Sequence, residues 1–379
     1  PVGVYGCWPT DRNWDAAFTL GSLGALSLTE NATVNKLSEA EIQTLIGVLT
    51  LTRANRTPNA ANLADLEYFG KSRVDWTVGF VDLIAQGLLT ELDQAFSLTD
   101  QGAHFAERLR QERPPMWYWY SDFYQAIQTS KAYATFCERV FGRDLGQHGF
   151  SDMAQLNKLL EVTALGPEDR VLDLGCGNGL MAEYISDTTG AHLTGIDYIP
   201  VAICQAQRRT REKRHRLEFN VVDIHTFNFP PPTFDTLVSI DSLYFTDLEE
   251  TVNKMKTLLR PGGQMAIFYS HSAGRSVPLD AFPRQSLLPD KTLLAEALAN
   301  HGLPYQTWDF TQQDYRHAQL KKQVTEELEA EFEAEGNLFI FANRHAEAEG
   351  VMRAIEANAH ARYLYQVTAS GVLPSPEEN

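Results

Sequence analysis

The stretch Arg170-Val171-Leu172-Asp173-Leu174-Gly175-Cys176-Gly177-Asn178-Gly179 constrains this chain more than any other part of it. Its apolar half reads as a strand buried on both faces. The three glycines that follow force a sharp turn ahead of a helix over 180–188. Glycine tolerates positive φ and brings no Cβ, so a ligand can lie against the main chain where the strand ends. Further strand-like segments follow in order at 192–197, 219–224, 234–244, 258–268, 305–311 and 361–367, with helical text between most of them. Strands alternating with helices imply an α/β, doubly wound, largely parallel sheet, here of seven strands within residues 165–370.

The glycine spacing narrows the ligand. A dinucleotide fingerprint places glycines as GxGxxG and sets a pyrophosphate on the helix N-terminus. Here the order is Asp-x-Gly-x-Gly-x-Gly, and an acid at the strand end repels a pyrophosphate but suits an ammonium group. The second strand ends in Asp197, 24 positions beyond Asp173, where a carboxylate can accept both hydroxyls of a ribose. This pattern resembles motif I and its successors in class I, Rossmann-like methyltransferases. The resemblance implies S-adenosylmethionine as cofactor, leaving as S-adenosylhomocysteine. It also implies cofactor contacts from Asp173, Gly175, Cys176, Gly177, Asp197, Tyr198, Asp223, Ile224, Ile240 and Asp241, with Asp223 accepting from the adenine amine. Leu258-Leu259-Arg260-Pro261-Gly262-Gly263 is similar to the family's turn into the fifth strand.

A second resemblance lies upstream. Cys137-Glu138-Arg139-Val140-Phe141-Gly142, followed by Gln147-His148-Gly149, is similar to the segment ahead of the cofactor loop in phosphoethanolamine-type N-methyltransferases. There a Tyr-Glu-Arg-Val-Phe-Gly phrase leads to Ser-Thr-Gly-Gly, which closes over the cofactor's carboxylate. This chain departs from it at Cys137 and at Gln147-His148. Gln147 is carried over as the donor to that carboxylate, and the phospho-base substrate is not carried over.

The N-terminal part reads differently. Residues 1–36 are an extension without clear periodicity. Over 37–115 the text gives a helix from Ser38, with Ile42, Leu45, Ile46 and Leu49 at helical spacing. It continues with helical segments at 61–69 and 74–89, a two-stranded ribbon at 88–99 and a helix at 100–113. That order, with Phe96-Ser97-Leu98-Thr99-Asp100-Gln101-Gly102 at the junction, resembles a winged-helix module such as small-molecule O-methyltransferases carry ahead of the catalytic half. The candidate recognition helix offers Lys71 and Arg73 against Asp75 and Asp82, a poor surface for phosphates, so the reading is a dimerising and site-covering domain. Residues 116–164 form a connection holding the aromatic cluster Met116-Trp117-Tyr118-Trp119-Tyr120 and a Gly-rich loop at 142–150. Residues 371–379 read as a flexible tail.

A formal net charge of −17 argues against a nucleic-acid partner and leaves an RNA methyltransferase the weakest option. One basic run, 208–216, reads as a solvated helix end or a docking surface. Cys7, Cys137, Cys176 and Cys204 are too scattered for a zinc site or a disulfide framework. No metal is expected, and a reducing cytoplasm is the default. The chain starts without a basic or apolar leader and has no apolar run of the roughly 18 residues a membrane span needs, so no membrane partner is expected.

On the acceptor side, an insertion at 312–358 reads as two helices divided at Gly336-Asn337, forming a lid. Methyl transfer from a sulfonium needs alignment and exclusion of water, with a base only where the acceptor must lose a proton. The candidates near the reaction are His148 and His271 as bases, Tyr244 as an acceptor contact and Glu335 as a carboxylate attracting a cationic acceptor. The expected protein is therefore a dimeric methyltransferase acting on a small molecule, of the kind found in natural-product biosynthesis. The alternative is a transcriptional regulator that senses the cofactor through a degenerate version of the same fold.

Overall fold

The computed structural model describes residues 37–53, 57–64, 77–112, 117–272 and 282–369. Lys71, Arg73, Asp75, the extension 1–36 and the tail 371–379 lie outside them. The chain divides into two compact units, with the boundary between Phe123 and Tyr124.

The first unit contains α1 (Glu39–Arg53), α2 (Ala60–Ala64), α3 (Thr77–Ala85), the strands β1 (Leu89–Leu92) and β2 (Ala95–Leu98), and α4 (Asp100–Glu112). Helix α1 opens on a capping box, in which Ser38 N–H donates to Glu41 and Glu41 N–H donates to Ser38 Oγ. β1 and β2 form an antiparallel hairpin. The ribbon and the flanking helices therefore stand where the sequence puts them. Helix α3 ends at Ala85, four residues before the expected end, because Gly87 takes φ 70° and Leu89 begins the hairpin. Helix α5 (Trp117–Ile127) carries the boundary, and within its first-unit part Trp119 stacks on Phe123 at 5.1 Å. The boundary read from sequence, at 115/116, stops short of this helix.

The second unit continues with α6 (Lys131–Phe141), α7 (Met153–Thr163), β3 (Arg170–Leu174), α8 (Leu180–Thr189), β4 (His192–Asp197), α9 (Pro200–Arg209), β5 (Leu217–Val221) and β6 (Phe234–Ile240). Then come α10 (Leu248–Leu258), β7 (Leu259–Ser272), α11 (Leu293–Asn300), β8 (Tyr305–Asp309), α12 (Thr311–Glu327), α13 (Glu329–Ala334), α14 (Leu338–Glu356) and β9 (His360–Thr368). Strands β3 to β9 make one sheet in the order β5-β4-β3-β6-β7-β9-β8. All neighbours are parallel except β9, which runs antiparallel to β7 and β8.

Alternation along the strands builds two cores. Leu172, Leu237, Ile267 and Tyr365 pack on one face, and Val171, Val238, Ala266 and Leu364 on the other. Truncating a fully buried leucine such as Leu237 to alanine costs about 2–5 kcal/mol, since the cavity closes only in part. The 312–358 insertion is present as expected but in three pieces. The break at Leu328 separates α12 from α13, and the turn at Gly336-Asn337 leads into α14.

Candidate functional site

Strand order reverses between β3 and β6, and the carboxyl ends of the strands at such a switch point are where open α/β sheets take their ligands. The two ends are bound tightly together. Ser242 Oγ donates to the carbonyl of Leu174 at 2.5 Å and shares a 2.7 Å hydrogen bond with Ser239 Oγ. A Cβ on Gly175 would stand 2.5 Å from that of Ser242, so only glycine fits there, at φ 79°. Gly177, at φ 56°, faces the hydroxyl of Tyr124, which a Cβ would strike. The glycines thus serve close packing of backbone against neighbours as well as the turn itself.

Two carboxylates flank this turn. Asp173 is 3% exposed, and its side chain makes no hydrogen bond to any described residue. Burial, with the charge of Asp197 added, raises its pKa to about 7. Asp197 ends β4. Burial raises it to about 6, although the backbone amides of Ile199, Gly177 and Tyr198 pull the other way. Its Oδ2 accepts from Gly177 N–H and its Oδ1 from Ile199 N–H, each at 2.9 Å, and with Tyr198 counted the carboxylate still has acceptor capacity to spare. Asp197 therefore sets the shape of the glycine turn while keeping acceptor capacity. The thiol of Cys176 is buried between them and pushed up by burial, then by Asp173 and Asp197. Tyr198 is half-buried directly after Asp197, in the turn into α9. Beyond β5, Asp223 Oδ1 accepts from the backbone and ring of His225 at 2.8 and 2.6 Å, and Ile224 is buried in the core.

The end of β6 is arranged otherwise. Ile240 packs on the α7–α8 side of the sheet. Asp241, at φ 57°, is a hub. It is paired with Arg362 through both carboxylate oxygens and accepts from Tyr244 Oη at 2.5 Å and from Phe150 N–H at 3.1 Å. Burial works to raise its pKa, but the Arg362 guanidinium overrides it and holds the carboxyl below the usual range. Arg362 is itself fully buried and reaches Gln155, Ser151 and Ser270 as well as Asp241 and Asp314. With its oxygens taken, Asp241 shapes the loop at 147–150 rather than standing open to a ligand. No sequence motif pointed to Arg362. The available signal was a lone arginine in the otherwise apolar strand 361–367.

The remaining candidates separate. Both ends of the Gln147 side-chain amide are used inside its own loop, accepting from Leu145 N–H at 2.9 Å and donating to the Arg143 carbonyl at 3.1 Å. The Gln147 backbone carbonyl takes the Tyr133 hydroxyl at 2.5 Å. The ring of His148 lies 2.8 Å from Arg344 through Nε2. Burial, then Arg344 and Lys321, hold its pKa well below 6.5, so the ring is neutral and Nε2 accepts from the guanidinium. Glu335 caps α6, accepting from Ser130 Oγ at 2.5 Å and from the amides of Lys131 and Ala132 at 2.9 and 3.0 Å. Tyr244 and His271 both neighbour Tyr269. The ring of Tyr244, 41% exposed, lies 5.6 Å from Tyr269, and His271 follows Tyr269 by two positions on the same face of β7. Burial, then His360, lowers the pKa of His271, whose Nε2 meets Ser286 Oγ at 3.0 Å. Among the described residues no cluster of His, Cys, Asp or Glu is suited to a metal ion, and no helix is long and apolar enough to cross a membrane.

Comparison with known proteins agrees with this geometry. Residues 171–263 match the family model described as a methyltransferase domain. A phosphoethanolamine N-methyltransferase of Triticum aestivum is 30% identical over 140 residues, covering 36% of this chain and 27% of that protein. The methyltransferase GfsG of Streptomyces halstedii is 30% identical over 126 residues, covering 32% of this chain and 44% of the relative. The matched segment thus spans under half the length of either relative. Among solved structures, a phosphoethanolamine N-methyltransferase of Haemonchus contortus shares the fold with TM-score 0.51 and 19% identity, covering 66% of this chain and 59% of its own. Residues 171–263, which carry the glycine turn and its two acids, are thus similar to a methyltransferase domain, and the sheet around them has the fold of such enzymes.

Proposed function

We propose that this chain transfers a methyl group from S-adenosylmethionine to a small-molecule acceptor. The observation that carries the reading is the Asp173 carboxylate, buried and without a hydrogen-bond partner at the end of β3. A buried charge left in this state is costly unless a cation completes it, and the ammonium of the cofactor's methionine arm is such a cation. The residues present fit the cofactor. Asp173 holds the ammonium, Asp197 accepts the ribose hydroxyls with its remaining acceptor capacity, and Asp223 with Ile224 borders the adenine. When bound, the cofactor supplies a methyl carbon already activated by its sulfonium. The chain's own work is orientation and exclusion of water.

The acceptor lies beyond the end of β6, against Tyr244 and His271. Burial and the neighbouring Asp241 raise the pKa of Tyr244, so its hydroxyl stays protonated; with that proton given to Asp241, it meets the acceptor through an oxygen lone pair or as a packing surface. His271 is neutral near pH 7 and has the chemistry to take a proton where the acceptor must lose one. His148 and Glu335 serve this reading indirectly, by holding the loop and α6 in place. We extend the proposal to a homodimer in which the N-terminal unit, read as a winged helix, dimerises and covers the site, in a cytoplasmic enzyme of natural-product biosynthesis. The Triticum aestivum and Streptomyces halstedii relatives are both named as methyltransferases, and neither supports the regulator reading.

The test is calorimetric and chemical. Titration with S-adenosylhomocysteine gives saturable binding, and a panel of amine, hydroxyl and carbon acceptors incubated with isotope-labelled cofactor gives one labelled product class. Absence of binding at millimolar cofactor rejects the proposal.

A further inference from the structure

The basic run at 208–216 has a use that the methyltransferase reading leaves open. Much of it is neutralised on the spot. Arg209 and Lys213 pair with Glu183, Lys213 and Arg216 pair with Asp187, and Arg211 pairs with Glu212. Arg214 and His215 are different. Both are exposed, and neither side chain makes a hydrogen bond or ion pair with a described residue. They line an open cleft of about 300 Å³ at the amino ends of β3, β4 and β5. The same cleft receives Arg170 and His192, the first residues of β3 and β4, which are also exposed and unpartnered through their side chains. Arg216 completes the wall, its guanidinium fixed on Ser186 Oγ at 2.5 Å and on Asp187.

Three guanidinium groups and two imidazoles therefore surround one cleft that holds only two carboxylates, Glu168 and Glu218. The chain as a whole carries a net charge of −17, whereas here the two free guanidiniums of Arg170 and Arg214 offset the carboxylates of Glu168 and Glu218, so the cleft stands apart from the negative field around it. The cleft's volume falls at the lower bound of small-molecule sites. Guanidinium forks match the oxygens of phosphate in pairs, and the cleft supplies two that nothing else occupies. We infer that this cleft is a second ligand site, for a small phosphate-bearing anion of pyrophosphate size. It is separate from the proposed cofactor site, because β3 enters the cleft at Arg170 and reaches the glycine turn only after Leu174, roughly 13 Å along the strand.

Isothermal titration of the full chain with inorganic pyrophosphate, repeated with inorganic phosphate, tests the inference. Saturable binding is expected, with pyrophosphate tighter than phosphate. The double variant Arg170→Gln/Arg214→Gln weakens it at least ten-fold while the thermal midpoint stays unchanged, since both side chains are exposed. Arg316→Gln, which removes an exposed arginine on α12, leaves binding as it was and controls for general charge. Asp197→Ala also leaves it as it was, which separates this site from the cofactor site whether or not that site binds its cofactor. No saturable binding, equal weakening in Arg316→Gln, or loss of pyrophosphate binding in Asp197→Ala overturns the inference.

Discussion

Two buried acidic sites stand at the same edge of one sheet and are treated in opposite ways. At the ends of β3 and β4, the pKa values of Asp173 and Asp197 are raised mainly by burial, Asp173 also by the charge of Asp197 and Asp197 by that of Asp223, and among the described residues no cationic side chain is bonded to either. At the end of β6, Asp241 is saturated by Arg362, Tyr244 and the Phe150 amide, and its value is depressed. A carboxylate completed by its own protein is a strut. A carboxylate left incomplete in a low-dielectric site is a receptor for a cation that arrives from outside. The difference separates a carboxylate that braces the strand ends from two that keep acceptor capacity, although all three belong to the same family pattern.

Removing the strut breaks the comparison most severely. Arg362→Met leaves Asp241 and Asp314 buried without their cation, and denaturant unfolding should show a loss of about 3–5 kcal/mol. A loss below about 1 kcal/mol would mean that the hub contributes little to the fold. The receptor side responds in affinity instead. Asp197→Ala should weaken S-adenosylhomocysteine by about 1.5–3 kcal/mol, the range of charged hydrogen bonds, and undiminished affinity removes the ribose assignment.

Asp173→Asn sharpens the contrast, because its two effects carry opposite signs. Both raised carboxyls hold protons more tightly in the folded chain than in the unfolded one. Their contribution to stability is complete below the ordinary 3.8 and is lost as pH rises through about 6 and about 7. In the ligand-free protein the asparagine variant should therefore match the parent below about pH 4 and gain on it as pH rises, by on the order of 2–3 kcal/mol between pH 5 and pH 8. Its affinity for the cofactor should fall. The parent's affinity should rise with pH through the same window, because the ammonium prefers the carboxylate. Asp241 runs the other way, since its depressed value contributes stability that is lost as pH falls. Thermal melts and titrations at several pH values check both signs. The smallest effect belongs to Glu335→Gln, which weakens a cap on α6. A stability loss of about 1 kcal/mol with unchanged cofactor affinity is expected, and a changed acceptor KM would return Glu335 to the acceptor site.

Legibility from sequence followed the range of the interactions. The strand, glycine turn and helix at 170–189 were readable because period and glycine spacing act over a few neighbouring residues. Asp173 and Asp197 were readable because each sits at the end of its own strand. Gln147 was placed by analogy with a cofactor-closing loop, but the structure uses its amide to hold the chain at Arg143 and Leu145. Glu335 stood in an acidic run, with nothing local to show that it folds over the start of α6, some 200 residues earlier in the chain. Arg362 was missed because its partners come from α7, β6, β7 and α12, and no local pattern encodes such a meeting.

The amino-acid sequence alone determined the sheet, the order of its strands along the chain, and the two acids at the glycine turn, since apolar period and glycine position are local properties. Which acids remain open to a ligand was decided only in three dimensions. That outcome depends on whether a cation from a distant strand arrives to complete each carboxylate: β9 delivers Arg362 to Asp241, and no side chain among the described residues does the same for Asp173.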